Sequence, residues 1–450
     1  MKRKEIDMIN DSIWNKLIMF AMPIAATAVL EQLFNASDVA VVGNFAAGDK
    51  TAAVEAVGAN APIVGLILNL FIGIALGTNV VIANAIGRED FQTVKKAVHT
   101  SLIMALTGGI AVMLIGEPLA VNVLRLLKIP DDMMNLTLLY LRIYLLGMPV
   151  IFLYNFEAAI FRSAGDTKTP LAALAVSGVI NVILNLFFVI VLHMSVNGVA
   201  IATVISNTIS SIILLIKLLK TDKCIHLDLK KFSIDTNIMK NILKIGLPAG
   251  IQSAVFALAN IVIQAAINSL GTVVIAASSA AYNIEIFAYY VINSFGQACT
   301  TFVGQNYGAG KLTRCKRILA LSLIEDFAVA GITIAVILLF GKNLLAIFNN
   351  DAEVISTGYV RLVMVFTAYI FTMLYEVMSG YMRGFGISLL PAILTTIGVC
   401  GVRIAWIEFV FPLNRTFQTI MAVYPLSLSV TALLIFVALL ISRPSHRLSK

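Results

Sequence analysis

The sequence predicts an all-α polytopic membrane protein, with about twelve transmembrane helices in two six-helix lobes related by a parallel pseudo-two-fold repeat. Three observations carry this. Hydrophobic residues make up 59% of the 450-residue chain, and its mean hydropathy is +0.94. Charged residues are only 12%, against about a quarter in soluble domains. The apolar runs recur along the whole length. Each is long enough to cross a bilayer as a helix, and none shows the period of two that a β-barrel requires.

Taken in order, the runs place spans at roughly 15–44, 53–86, 92–116, 133–159, 169–192, 197–219, 241–268, 273–306, 313–340, 355–380, 387–411 and 417–441. The first follows the charged head "MKRKEIDMINDSIWNK". It is too long for a signal-peptide core and no small-residue cleavage pattern follows, so it reads as a helix that stays. Pro23 sits early in it, as Pro248 does in the seventh. The second and eighth run long, which implies tilt or extension past the lipid. The third opens on "GREDFQTVKKAVHTSL" from Gly87 and the ninth on "GAGKLTRCKRILALSL" from Gly308, so Lys95 and Lys96 match Lys316 and Arg317. "YLRIY" at Tyr140 in the fourth answers "YVRLV" at Tyr359 in the tenth. Glu157 answers Glu376, and "RSAG" at Arg162 answers "RGFG" at Arg383. Pro170 and Pro391 open the fifth and eleventh. The separation stays near 220 residues throughout. With six helices each, both halves begin on the same side, which makes the repeat parallel, with a cavity between lobes and a rocking alternation. The expected division is an N-lobe over 1–220, a linker over 221–240 and a C-lobe over 241–450.

Charge gives the orientation. The net charge is +8, and basic residues gather at alternate loops: at Lys2 to Lys4, Arg88 to Lys96, Arg162 and Lys168, Lys217 to Lys231, Lys311 to Arg317, and Arg443 to Lys450. The intervening loops hold little beyond Lys50, Arg125, Lys128, Lys342 and Arg415. The positive-inside rule then puts both termini and the 217–244 loop in the cytoplasm of a cell-membrane protein. Topology explains these charges without nucleic acid.

The first helix holds the sharpest anomaly. "AVLEQLFNASDVAVVG" carries Glu31 and Asp38 inside an apolar run. An acid at the bilayer centre costs about 2.5–3.5 kcal/mol on insertion scales, so it faces protein or water and not lipid. Seven residues apart, the two acids lie on nearly one face, flanked by Asn35 and Gln32. A buried carboxylate of this kind suits ion coupling, because protonation or sodium binding neutralises it in one conformation and not the other. The alternative is a helix–helix hydrogen bond for Asp38, or plain solvation for Glu31.

Other chemistry finds no foothold. The four cysteines are far apart and form no CxxC, and the four histidines are scattered, so neither a disulfide framework nor a metal site is indicated. "GQNYGAGKL" lacks the GxxxxGK[ST] spacing and any preceding strand, so no nucleotide is expected and an ion gradient must supply the energy. No HExxH, GxSxG or paired-aspartate motif argues for an enzyme. The small-xxx-small pairs Gly73/Gly77 and Gly304/Gly308 read as close helix packing.

The early proline with "FNASDVAVVG", then "RSAGDTKTP" after the fourth helix and "GQNYGAGK" before the ninth, resemble the multidrug and toxic compound extrusion (MATE) family over essentially the whole chain. The resemblance implies export of organic cations and other drugs in exchange for H+ or Na+, with no other cofactor. It matches Asp38 to the first-helix aspartate that couples ions in many bacterial and archaeal members. Glu31 falls where such members often have glutamine. Tyr140, Asn155, Asn181 and Thr203 match a polar cluster around that aspartate, and Asn185 stands where the archaeal branch has aspartate. The C-lobe acids of the NorM branch appear here as Phe256 and Thr372, which leaves Glu285 and Glu376 as the acids able to replace them.

Further roles follow for named residues. Glu285, with Tyr282, Tyr289 and Phe287 nearby, is placed to attract a cationic compound; a structural ion pair is the alternative. Asn35 and Gln32 join it as substrate-binding candidates. Glu157 and Glu376 read as gate or salt-bridge partners of Arg162 and Arg383. Asn155, Asn181 and Asn185 are expected in one hydrogen-bond network. The competing function is a flippase for a lipid or lipid-linked precursor, which calls for extra helices or a markedly cationic cavity, and intramembrane arginines are few (Arg142, Arg361, Arg403). The expected partners are small-molecule drugs and the lipid bilayer, and the chain is expected to work as a monomer.

Overall fold

The structure, a computed structural model, describes residues 6–46, 48–127 and 129–447, without the side chains of Lys231, His446 and Arg447. Of the residues used for topology, Lys2, Arg3, Lys4, Lys128 and Lys450 lie outside the described residues. Twelve helices are long and apolar enough to cross a membrane: α1 Ile13–Phe45, α2 Lys50–Gly87, α3 Phe91–Leu126, α4 Asp131–Ser163, α5 Lys168–Val191, α6 Val196–Lys220, α7 Thr236–Asn268, α8 Thr272–Gly308, α9 Leu312–Ala346, α10 Ala352–Gly384, α11 Leu389–Leu413 and α12 Phe417–Ser442. There is no strand among the described residues. The expected spans all appear. Most helices run beyond their apolar core because polar caps close them outside it. Asp49, Asp90 and Asp351 accept from the first free amides of α2, α3 and α10.

The sequence repeat is also a repeat of backbone conformation. After α4, Gly165 takes φ +85°, its N–H donates to Arg162 O, and that of Asp166 donates to Phe161 O. After α10, Gly386 takes φ +81° with the same two bonds, from Gly386 to Arg383 O and from Ile387 to Met382 O. The last glycine of "RSAG" and "RGFG" is thus a left-handed helix stop, where a side chain would be strained. Glu89 and Gly310 make a matching left-handed turn after α2 and α8. In both halves the fifth helix loosens into π-helix, over Phe187–Val191 in α5 and over Thr396–Gly401 and Trp406–Val410 in α11.

The chain packs as two units. The first spans Ala26–Leu243, around a core that includes Phe152, Phe156, Met148 and Leu102. Here the 221–235 segment is held on α3: Asp235 pairs with Lys96 at 3.4 Å, its N–H donates to Thr100 Oγ1, and Phe232 lies against His99. The second unit takes in Lys244 onward together with Ile6–Ala25, a stretch expected in the N-lobe. Polar and apolar contacts explain its placement. Asn306 Nδ2 donates to Met8 O at 2.9 Å, Lys311 Nζ to Ile9 O at 3.2 Å, and Arg314 to the carbonyl of Asp11. Phe20 meets Phe302 edge-on at 5.6 Å. In this unit α8 and α10 touch backbone to backbone. A Cβ on Gly380 would stand 2.3 Å from Gly296 O, and Thr300 Oγ1 bonds both glycine carbonyls. Small residues make that approach possible.

Candidate functional site: an acidic cavity in the first unit

Four helices of the first unit each turn one polar face to a cavity of about 130 Å3. From α1 come Glu31, Phe34, Asn35 and Asp38, spaced i, i+3, i+4, i+7 as one helical stripe requires. Tyr144, Ile151, Tyr154 and Asn155 come from α4, Ser177, Gly178 and Asn181 from α5, and Thr203, Ser206 and Asn207 from α6. Gly178 is required where it stands. A Cβ there would lie 1.7 Å from Phe34 Cζ, so only glycine lets that ring rest against α5.

Asp38 sits at the buried end of the stripe, 4% exposed. Asn185 Nδ2 donates to its Oδ1 at 2.5 Å and Thr203 Oγ1 to its Oδ2 at 2.9 Å. Asn185 Nδ2 also reaches Asn181 Oδ1 at 3.2 Å, and Asn181 Nδ2 reaches Thr203 Oγ1 at 3.4 Å. The donors are all neutral. Among the described residues no lysine or arginine pairs with Asp38. Asn185 Oδ1 is buried with no donor among the described residues, which leaves an unengaged oxygen beside the carboxylate. Glu31 is exposed on the same stripe, and the Arg162 charge acts on it.

The structure brings together Asp38, Asn181, Asn185 and Thr203, with Glu31, Asn35 and Asn155 around the same cavity. The three asparagines do not form one network, because Asn155 Nδ2 donates to Ile151 O of its own helix at 2.9 Å. Tyr140 is buried and stacks on Tyr144 at 6.0 Å, and it is Tyr144 that lines the cavity. Gln32 is not among the residues that line the cavity. Tyr144 closes the "YLRIY" motif and Tyr154 belongs to none, yet their spacing with Asn155 puts them on one face of α4; the Tyr154 hydroxyl is buried without a hydrogen-bond partner among the described residues.

The second unit treats its acids differently. Glu285 of α8 accepts from Arg361 Nε at 3.0 Å and Nη2 at 2.9 Å, and from the Tyr369 hydroxyl at 3.0 Å. Arg361 Nη1 also donates to Ser278 Oγ at 2.6 Å. The charge expected to attract a cationic compound is already neutralised, and the Tyr282 ring lies 5.5 Å from the same guanidinium. The structural ion pair is what forms. Phe256 lies 5.1 Å from the buried Arg403, whose hydrogen bonds go to Asn260 and Ser427. Glu376 and Arg383 stand 3.5 Å apart, whereas Glu157 accepts from Ser211 Oγ of α6 at 2.9 Å.

Twelve apolar helices, a duplicated half and an acid buried among amides define a polytopic membrane protein of the MatE family, to which this chain belongs. The family pattern matches once in each half, over residues 23–187 and 248–407, each match opening at a proline or just beside it. The chain is 27% identical over 440 residues to the probable multidrug resistance protein YoeA of Bacillus subtilis strain 168, covering 94% of this chain and 93% of that protein. It is 24% identical to the probable multidrug resistance protein NorM of Thermotoga maritima, over 87% and 84% of the two chains. A crystal structure described as MATE in the bent conformation superposes with a TM-score of 0.90 at 21% identity, covering 99% of this chain and all of that one, which establishes the fold.

Proposed function

We propose that this protein is a secondary antiporter of the cell membrane that exports amphipathic, mostly cationic compounds in exchange for H+ or Na+, with Asp38 as the coupling group. The observation that carries this is a carboxylate 4% exposed, in a cavity, with only neutral donors and an idle amide oxygen beside it. A buried charge without a counter-ion is costly, so a proton or small cation is stabilised wherever the site closes around it. The cavity's size supports the same reading. About 130 Å3 holds an ion with a few waters, while drug-sized ligands need about 300 Å3 or more. This space suits the coupling ion; the exported compound requires the wider cleft that a rocking alternation opens. Asn35 and Glu31, on the rim of the stripe, are the residues such a compound meets on its way past Asp38. Glu157 with Ser211, and Glu376 with Arg383, take the gating part at the cytoplasmic helix ends, and both termini face the cytoplasm. The coupling ion is the only cofactor, and one copy of the chain contains the complete site.

The test is ethidium transport in proteoliposomes, with a sodium gradient and a pH gradient imposed separately. Transport driven by one of them, and reduced to the empty-vesicle level in a folded, inserted Asp38→Asn variant, is the expected result. Full transport by the variant removes Asp38 from the coupling role, and no ethidium movement by the native protein under either gradient turns the reading to a lipid flippase.

A further inference from the structure

The middle of α9 carries two adjacent acids, Glu325 and Asp326, in "LSLIEDFAVAG". They are 1% and 0% exposed, and none of their four carboxyl oxygens has a hydrogen-bond partner among the described residues. That sets them apart from the other buried acids. Asp38 has two donors, Glu285 three, Glu157 a serine and Glu376 an arginine. Helix α9 packs against α8 and α10. From α10 the charge of Glu376 acts on Asp326. One turn along the Glu376 stripe, Ser379 Oγ is fully buried and also without a partner.

An ionised carboxylate buried with no protein donor costs far more than the neutral acid. Asp326 meets that condition, and the charge acting on it is that of another carboxylate, Glu376. We propose that Asp326 is a second ion-coupling group: it holds a proton in this conformation and yields it when the second unit rearranges. The charge that acts on it comes from Glu376 on α10, and its neighbour on α9 is Glu325. Arg383 is engaged with Glu376, and Tyr289 bonds the same carboxylate, so neither offsets Asp326. The short turn Pro444–Arg447 packs beside Lys316 at the start of α9, about 15 Å of helix from Asp326. The proposal rests on the antiporter reading only for its role in coupling, not for the bound proton.

The experiment therefore has two readouts. Infrared spectra of the purified full-length protein are compared with those of Asp326→Asn and Asp326→Glu between pH 5 and pH 9. The carbonyl stretch of a neutral carboxylic acid is expected to be present at neutral pH, lost in Asp326→Asn and moved in Asp326→Glu. In proteoliposomes one proton fewer is expected to be exchanged per ethidium in Asp326→Asn than in the native protein, with ethidium still transported. Spectra identical in all three proteins overturn the proton site. A neutral-acid band that depends on Asp326, with an unchanged proton count, overturns its coupling role. Failure of the native protein to transport ethidium counts against the antiporter reading and leaves the infrared result to decide Asp326.

Discussion

A buried charge is stable only with its partner, and this governs what single substitutions do here. Glu285 and Arg361 illustrate the rule, since the guanidinium makes two contacts to the carboxylate and one to Ser278, and is 3% exposed. Removing one partner of such a pair leaves a bare charge and costs about 3–5 kcal/mol, while removing both costs less. Arg361→Gln is therefore expected to lower the thermal midpoint of the detergent-solubilised protein sharply, and Arg361→Gln with Glu285→Gln to restore most of it. Equal loss in the single and double variants would show that the pair does not hold this bundle. Asp38 is the opposite case. Its partners are one neutral amide and a hydroxyl, so Asp38→Asn removes a charge that nothing balanced, and the loss falls on transport and not on folding.

Helix ends show how local sequence and long-range docking combine. Asp235 accepts from the N–H groups of Asn237 and Ile238 at the start of α7, and pairs with Lys96 of α3. The Ile238 amide above all, with Lys96 behind it, holds its carboxyl below the usual value. A depressed carboxyl stabilises the folded state above the unfolded value, about 3.9, and that contribution is lost as pH falls through the folded one. Asn caps a helix as well as Asp does, so Asp235→Asn isolates the charge. The native protein is expected to melt higher than this variant at pH 6, with the gap closing as pH drops below about 4. A gap that stays constant with pH would assign the docking to the backbone contact with Thr100 alone.

For the molecule as a whole, topology is the property on which function turns, because export requires a defined inside. Basic residues crowd the 217–244 segment and leave the α11–α12 turn with Arg415. The positive-inside rule places these on opposite faces, and both Lys230 and Arg415 are exposed. With Cys224 replaced by serine, Lys230→Cys is expected to react with a membrane-impermeant maleimide in inside-out vesicles only, and Arg415→Cys in right-side-out vesicles only. The reverse pattern would make the protein an importer by the same mechanism.

By itself the sequence determined the class, the twelve spans, the duplicated half and Asp38 as the acid out of place. These depend on composition, on helical period and on motifs whose glycines must adopt a left-handed turn, all of which are local. Tertiary structure decided which charges are paired. Asp38 meets Asn185 and Thr203, 147 and 165 residues away, and Glu285 is neutralised by Arg361, 76 residues away. It also decided that the beginning of α1 packs with the second unit and that the Asp326 carboxyl has no hydrogen-bond partner among the described residues. The reason is rotational. Helical spacing says which residues share a face, but the neighbour a face meets is set by close contacts such as Phe34 on Gly178 and Gly296 on Gly380, between segments that hydropathy treats alike.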